Sequence, residues 1–422
     1  MSPLTRSQAA AGAVLPSPAV SERGGAQPDR SAGPDGDTAA WKRSSWIALA
    51  AYLLSRICVI AGAAAVSTVR DVSERIVDPT LPVPPTATGG IFDVLNSWDG
   101  QWYYRIIREG YPRSVPAHVT YGMLQARAAF FPLYPLTVRF LDHVLPGGDV
   151  FAALMMNFFL GFAAVLMIGA IARHLFDEAI AERSMILLAL FPGSFVLSFA
   201  YSEALMFVLV GVCLWLLLKE RWLLAGLAAA LVTACRPNGI AICFACAVAA
   251  LLAIRQRRQW SALIAPALSP IGWLSFQIFI SRHTGENGVW FRVQREAWKE
   301  GISFGMTAIR GISQVFVNPL SSPANLLTFV SVVSMVLLLA ASFKVRLPAP
   351  VMTYSIVVLV LMLIPATVTA RPRFLVTAFP LLIGIAAWWP PRWLRVWNWV
   401  MVACGAGLVV LTVLYGGFAA IP

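Results

Sequence analysis

The stretch WDGQWYYRIIREGY, residues 98–111, is the first strongly polar, aromatic-rich segment after the first apolar run of membrane length. It places a carboxylate, Asp99, between the indole of Trp98 and the flexible Gly100. An acid flanked by aromatic side chains suits a site that handles a sugar. The same pattern also fits an ordinary belt of aromatic residues at a membrane interface, so the rest of the chain must decide between the two.

The composition is that of a membrane protein. The chain has 422 residues, of which 59% are hydrophobic and only 12% are charged, whereas about a quarter of the residues in a soluble domain are charged. Apolar runs recur along the chain, and a helix needs about 20 such residues to cross a bilayer. The sequence therefore predicts an all-α polytopic membrane protein with no room for a large soluble domain.

The charge and the metal-ligating residues exclude several functions. The net charge of +12 is explained by Lys and Arg in cytoplasmic loops, and no basic, aromatic-interleaved soluble stretch would bind nucleic acid. The six cysteines all lie in apolar runs. Cys243 and Cys246 have CxxC spacing, but no further Cys or His lies nearby to complete a zinc site. We also find no DxD-like pair, so we expect neither a metal nor a cofactor.

Hydropathy divides the chain into a tail and a membrane domain. Residues 1–42 are rich in Ala, Gly, Pro and Ser and are predicted to be a disordered cytoplasmic tail. Residues 43–422 are predicted to form a bundle of about eleven transmembrane helices, with long outer segments at 67–148 and 282–322. The predicted spans lie near 46–66, 150–172, 184–218 (two spans), 222–254 (two spans), 261–281, 324–343, 350–368, 373–389 and 397–418.

The loop charges predict which face of the membrane carries the site. With the tail in the cytoplasm and the spans alternating, the basic short loops RHLFDEAIAER, KER, RQRR, KVR and PPRWLR all fall inside, as the positive-inside rule expects. The WDG segment, the YSE turn (201–203), the RPNG turn (236–239), residues 282–322 and ARPRF (370–374) then share the outer face. Every unusual polar motif lies on that face, so we expect the site there.

Two hairpins have turns that are expected to lie below the membrane surface. Each has only some 33 residues for two crossings, and non-helical backbone at membrane depth is tolerated where it lines a cavity or is buried in protein. A carboxylate there could act as a general base, and arginines could bind a phosphate bidentately. The hypothesis is an outward-facing cavity bounded by Asp99, Glu203, Arg236, Asn238, Arg371 and Arg373.

Structural interpretations compete with these functional ones. Arg56, within the first span, fits a buried ion pair as well as a contact to an anionic lipid head group. Glu203 at its turn could cap a helix or pair with a cation, and Arg371 and Arg373 could be plain membrane anchors. Three basic residues of the second outer segment are interpreted as a solvated face: Arg292, Arg295 and Lys299.

Four motifs of the chain resemble, in family order, the second GPI mannosyltransferase family (PIG-V) and its bacterial relatives. They are WDGQWYYRIIREGY (98–111), AAFFPLYPL (128–136), LALFPGSFVLSFAYSEALMFVL (188–209) and ACRPNGI (234–240). The resemblance implies a GT-C glycosyltransferase fold, a polyprenyl-phosphate-mannose donor and transfer with inversion. It also implies that Asp99 is the catalytic base. The sequence departs from the eukaryotic pattern at Pro237, commonly serine there, and at Gln125 and Arg127, which replace a His-Asn pair.

The resemblance and the residues together predict an outward-facing mannosyltransferase of the plasma membrane. The Ala-, Arg- and Pro-rich composition favours a bacterial member, with an envelope glycolipid, glycan or protein as the acceptor. The predicted catalytic residues are Asp99 and Glu203. The predicted substrate-binding residues are Trp98, Gly100, Trp102, Tyr103, Tyr201, Arg236, Asn238, Arg371 and Arg373.

Two other functions remain open at this point. A flippase or transporter of a lipid-linked sugar would also need an arginine-lined cavity. Transporters commonly contain repeats that span the whole chain, and here only the 184–218 and 222–254 hairpins look alike. The third function is a non-catalytic membrane subunit that positions a partner enzyme.

Overall fold

The computed structural model describes residues 34–77, 87–319, 322–367 and 371–418, which form a predominantly helical chain. The first helices are α1 (Pro34–Val77), α2 (Ala87–Leu95), α3 (Asp99–Glu109), α4 (Leu133–Asp142) and α5 (Asp149–Leu175). Next come α6 (Glu178–Leu190), α7 (Glu203–Leu218), α8 (Trp222–Cys235), α9 (Ala241–Arg257), α10 (Ile264–Leu268) and α11 (Ile271–Thr284). The last are α12 (Val289–Ala297), α13 (Met306–Val317), α14 (Pro323–Val345), α15 (Ala349–Leu363), α16 (Pro372–Leu375), α17 (Leu381–Trp388) and α18 (Leu394–Gly416).

Six helical stretches of the described chain are long and apolar enough to cross a membrane, by length and composition: Thr38–Val69, Asp149–Leu175, Pro237–Arg257, Trp260–Thr284, Pro323–Val345 and Pro391–Gly416. Three shorter apolar helices, α7, α8 and α15, accompany them. Every predicted span overlaps one or more helices. The prediction of an all-α polytopic membrane bundle is therefore confirmed, and the number of helices that cross the bilayer stays a prediction.

The predicted tail and outer segments differ from the structure at their boundaries. Residues 1–33 of the tail lie outside the described residues. Residues 34–42 are helical, because α1 begins at Pro34 and runs into the first span without a break. Proline is favoured in the first turn of a helix, and no second proline interrupts the stretch that follows. The same helix continues to Val77, past the predicted start of the first outer segment at 67, and the point at which the chain leaves the membrane stays a prediction.

The core of the bundle surrounds α6, which contacts α1, α5, α17 and α18. A small residue stands at the contact between α5 and α6: a Cβ added to Gly169 of α5 would lie 2.5 Å from the Met185 sulfur of α6. Small side chains let membrane helices approach closely and gain van der Waals contact. A second group, in which α7 packs on α8 and α9 on α15, completes the bundle.

The two outer segments contain helices and are tied together by Arg292. Its guanidinium binds Glu286 at 2.6 Å and Glu296 at 3.0 Å, and it donates to the carbonyl of Pro116 at 2.8 Å. The hydrogen bond from Arg292 lowers the pKa of Glu286. The solvated-face interpretation is therefore wrong for Arg292, because a bidentate arginine with several acceptors fixes the position of a loop.

Candidate active site

Asp99 is the first residue of α3, and the turn before it holds its position. Trp98 has φ 57° and ψ −116°, a conformation that non-glycine residues rarely adopt. Its indole Nε1 donates to the Tyr415 carbonyl at 2.8 Å, which ties the turn to α18. A carboxylate in the first turn is stabilised by the partial positive charge of the helix N-terminus. The Asp99 side chain is 23% exposed, so a substrate could reach it.

The RPR sequence at 371–373 brings Arg373 to this carboxylate. Gly193, in the LALFPGSF motif, lies so close to this turn that an added Cβ would stand 2.2 Å from the Pro372 carbonyl oxygen. Only a residue without a side chain allows this approach. The turn that carries Arg373 therefore packs directly against the proline–glycine motif between α6 and α7.

Three charged side chains meet beside Asp99, and with it they form an alternating cluster of two acids and two arginines. Arg373 donates from Nη2 to Asp99 and from Nε to the Glu203 Oε1 atom, the latter at 2.5 Å. Arg236 Nη1 lies 2.7 Å from Glu203 Oε2. Glu203 is fully buried and Arg373 is 2% exposed. Charges this deep persist only when they are paired.

Tyrosines and a serine complete this cluster, here called the charge cluster, of Asp99, Glu203, Arg236 and Arg373. The Arg373 guanidinium lies 4.3 Å from the ring centroid of Tyr201, within cation–π range. Ser202 accepts a hydrogen bond from Arg236 at 3.0 Å and lies 2.7 Å from the Tyr103 hydroxyl. The YSE turn predicted from the sequence thus supplies three consecutive side chains to one polar site.

A cavity of about 390 Å³ opens above the charge cluster, within the size range of small-molecule sites. Asp99, Arg236 and Arg373 reach its wall, as do Trp98 and Tyr103. Glu203 and Tyr201 are not part of that wall; Glu203 pairs with both arginines, and Tyr201 contacts Arg373.

Aromatic rings from both outer segments form one side of this cavity. Trp102 packs against Tyr121, Phe130 and Trp298, with ring centroids 5.5 to 6.2 Å apart. Trp102 is 8% exposed, so it supports the wall, and Tyr121, Phe130 and Trp298 line the cavity. The aromatic-belt interpretation does not fit Trp102, because its ring is buried among protein side chains.

Lys299 and Glu300 also line the cavity, and the sequence interpretation did not place them there. Burial raises the pKa of Glu300 to about 7. Both residues follow α12, and of the two only Lys299 was singled out from the sequence, as part of a solvated face. The only available signal was the length of the second outer segment, since long loops often carry function.

Besides Glu203, Tyr201 and Trp102, which contact residues of the cavity wall, three more predicted site residues do not line this cavity. Gly100 packs against Asn96, whose Oδ1 atom would lie 2.8 Å from an added Cβ, so its role is close packing at the start of α3. Asn238 is next to the cavity-lining Pro237 in the chain but does not line the cavity, and its Oδ1 atom is buried and unpartnered. Arg371 lines a separate cavity of about 220 Å³.

Two residues singled out in the sequence hold the fold. Arg56 is buried and donates to Ser198 Oγ at 2.6 Å and to the Ser194 carbonyl at 3.2 Å. Neither the ion-pair nor the lipid interpretation fits it, because its partners are hydroxyl and carbonyl oxygens of the protein. Arg127 donates to the Gly110 carbonyl at 2.7 Å and so holds the end of α3. Of the departures from the eukaryotic pattern, Pro237 lines the cavity.

In the part of the chain that the structure describes, no group of three or more His, Cys, Asp or Glu side chains could hold a metal ion. The expectation of a metal-independent site stays a prediction.

Comparison with known proteins finds one matching protein family and several solved structures with low sequence identity to this chain. Solved structures with a similar fold include ArnT from Cupriavidus metallidurans bound to undecaprenyl phosphate, at a TM-score of 0.48 and 14% identity, covering 72% of this chain and 57% of that one. The Archaeoglobus fulgidus oligosaccharyltransferase, tethered to an acceptor peptide, matches at a TM-score of 0.40 and 14% identity, covering 87% and 55%. The chain thus spans a little over half the length of these proteins. No protein with a curated description matches it.

The family comparison bears on the motifs that built the site. The matched residues, 70–265, include the WDG, YSE and RPNG segments, and hence Asp99, Glu203 and Arg236. The resemblance predicted from those motifs is confirmed: over residues 70–265, this chain is similar to the mannosyltransferase (PIG-V) family.

Proposed function

We propose that this protein is a membrane glycosyltransferase of GT-C type that transfers mannose from a polyprenyl-phosphate donor to a hydroxyl of an envelope acceptor. The family match supports the reaction class, and the apolar helices support a membrane setting for a lipid-linked donor. The site is proposed to face outward from the plasma membrane. The acceptor is a glycolipid, a glycan or a protein.

The observation that carries this proposal is the unequal exposure of the two carboxylates in the charge cluster. Glu203 is fully buried, whereas Asp99 is 23% exposed at the cavity wall. Of the two carboxylates in the cluster, only Asp99 can touch a substrate, so we assign it as the general base, which requires hydrogen-bond reach to the acceptor proton. Glu203 becomes a positioning residue that holds Arg373 and Arg236.

The proposed reaction is a single displacement. The acceptor oxygen attacks the anomeric carbon on the face opposite the phosphate, and the bond from that carbon to the phosphate oxygen breaks. The proton of the acceptor hydroxyl passes to Asp99. The electron pair leaves with the lipid phosphate, whose charge arginine side chains can stabilise. A β-linked donor then gives an α-linked product.

The test measures transfer of radiolabelled mannose from polyprenyl-phosphate-mannose to a membrane-lipid extract, with purified protein in liposomes. Asp99→Asn is expected to lower the rate by about 10²- to 10⁴-fold, the usual contribution of a general base. The matched control is Asp142→Asn at the end of α4, away from the cavity. EDTA is expected to leave the wild-type rate unchanged.

Each other outcome has a definite meaning. An Asp99→Asn protein as active as wild type would overturn the assignment of the base. Wild-type protein that moves the labelled lipid across the bilayer without forming a product would replace the transferase by a flippase.

A further inference from the structure

The second cavity, about 220 Å³ in volume, has the character of an anion site. Its wall carries two arginines, Arg310 and Arg371, with amide side chains from Gln314 and Asn325. No acidic residue is among the described residues that line it. The arginines at the charge cluster are occupied by carboxylates, whereas these two are not paired with an acid in the described chain.

Arg371 is buried, and one N–H group of its guanidinium has no hydrogen-bond partner. It is 7% exposed, and its Nη1 atom donates to the Ala324 carbonyl at 2.8 Å and to Thr328 Oγ1 at 2.6 Å. Its Nε atom is buried and has no partner. A buried cation with an unsatisfied donor is costly unless a ligand completes it. A guanidinium fork is suited to the oxygens of a phosphate.

Two helices converge on this cavity and complement an anion. On α13, residues Thr307, Arg310, Gly311 and Gln314 follow the i, i+3, i+4, i+7 spacing and so form one polar stripe along the helix. The other helix is α14, which starts at Pro323 and supplies Asn325 and Thr328 from its first two turns. The partial positive charge of this helix N-terminus adds to that of the arginines.

The neighbouring face of α13 favours a lipid over a free anion. Met306, Ile309 and Phe316 lie along it and are 49%, 58% and 75% exposed. An amphipathic helix with an exposed apolar side suits the boundary between head groups and acyl chains. A phosphate bound at Arg310 would lie beside a surface that can accept its hydrocarbon chain.

The two cavities adjoin. Thr367 lines both of them, and its hydroxyl donates to the Lys299 carbonyl at 2.8 Å. The RPR turn places Arg373 at one cavity and Arg371 at the other.

We propose that the Arg310–Arg371 cavity binds the phosphate of an isoprenoid phosphate lipid while its sugar occupies the cavity at Asp99. This inference rests on the proposed function, and it assigns the phosphate to Arg371 and Arg310 rather than to Arg236 or Arg373. The lipid chain then runs along the exposed face of α13.

The test measures binding without catalysis. Farnesyl phosphate is titrated into the full-length protein in phosphatidylcholine nanodiscs, and the Kd is read by calorimetry for wild type, Arg371→Gln and Arg310→Gln. Each substitution is expected to raise the Kd about tenfold or more, the equivalent of about 1.4 kcal/mol. Arg310 is exposed, so its variant is expected to fold normally even if Arg371→Gln does not. The control is Arg295→Gln, an exposed arginine of α12, with an unchanged Kd.

Three comparison arms identify the ligand and separate this inference from the proposed function. Farnesol is expected to bind more weakly than farnesyl phosphate, and phosphatidylglycerol is expected not to displace it. Equal binding of farnesol, or displacement by phosphatidylglycerol, would overturn the proposal, as would an unchanged Kd in both arginine variants. Wild-type protein that binds farnesyl phosphate as expected but forms no mannosylated product would contradict only the proposed function, so a failure of transfer and a failure of binding are distinguishable.

Discussion

Glu203 is the residue on which the geometry of the charge cluster depends. It is fully buried and pairs with Arg373 at 2.5 Å and with Arg236 at 2.7 Å. Neither arginine has another carboxylate within the described chain except Asp99, which pairs with Arg373. Removing the charge of Glu203 therefore leaves buried positive charge uncompensated, which destabilises the fold. Breaking an ion pair at the surface costs much less stability.

We predict that Glu203→Gln lowers the free energy of unfolding by about 3–5 kcal/mol, the usual cost of breaking a buried ion pair. The measurement is the thermal midpoint of the purified protein in detergent. The control is Glu220→Gln, whose partner Arg257 is 62% exposed, with an expected loss of about 1 kcal/mol or less. Equal midpoints for the two variants would show that the cluster does not hold the fold.

The different positions of Arg371 and Arg373 could not be predicted from the sequence. Both stood out as arginines of one outer turn, and nothing in the sequence separates them. Arg371 has extended backbone, φ −128° and ψ 152°, and a helical turn begins at Pro372, so the two side chains reach different cavities. Arg373 meets Asp99 across 274 residues of chain, a contact that only the packed bundle defines.

At the scale of elements, the segment between α12 and α13, residues 298–305 and here called the strap, contributes its first three residues to the cavity wall. Its backbone pairs with the end of α15: Ser303 N donates to the Ile364 carbonyl at 2.8 Å, and Ala366 N donates to the Gly301 carbonyl at 2.9 Å. These bonds hold Glu300 at the cavity wall. The sequence predicted a long outer segment here but not its docking, because main-chain pairing leaves no side-chain pattern.

The strap makes stability depend on pH. The pKa of Glu300 is raised from 4.5 to about 7 by burial, so the folded state keeps a proton that the unfolded state has already lost. Stability is therefore expected to fall as pH rises from about 4.5 to 7, because the unfolded state binds fewer protons in that window. Glu300→Gln is expected to remove this fall.

The measurement for Glu300 is the difference in thermal midpoint between pH 5 and pH 8. Asp142→Asn serves as the control, since Asp142 lies on α4 and not in the strap, and its difference should equal that of wild type. A Glu300→Gln protein with the full wild-type difference would mean that another group titrates.

At the scale of the whole molecule, hydropathy predicted much of the helical framework and little of the outer structure. Long apolar runs specify helices through composition alone, which is why every predicted span overlaps a helix. The outer segments are short amphipathic helices joined by turns, and their positions follow from contacts such as Arg292 with Pro116. Even so, polar motifs that the loop charges assigned to one face do meet at one site. Four separate segments of the chain contribute to it, with the side chains of Asp99, Glu203, Arg236 and Arg373.

The side of the membrane that the site faces depends on the orientation of the whole bundle. If basic short loops are cytoplasmic, Ser114 in the first outer segment faces outward and Gln256 in the RQRR loop faces inward; both are exposed. In a variant whose six cysteines are replaced, Ser114→Cys is expected to react with a membrane-impermeant maleimide on intact cells. Gln256→Cys is expected to react only after the membrane is opened. The reverse pattern would place the Asp99 cavity on the cytoplasmic face and would require a donor lipid presented from that side.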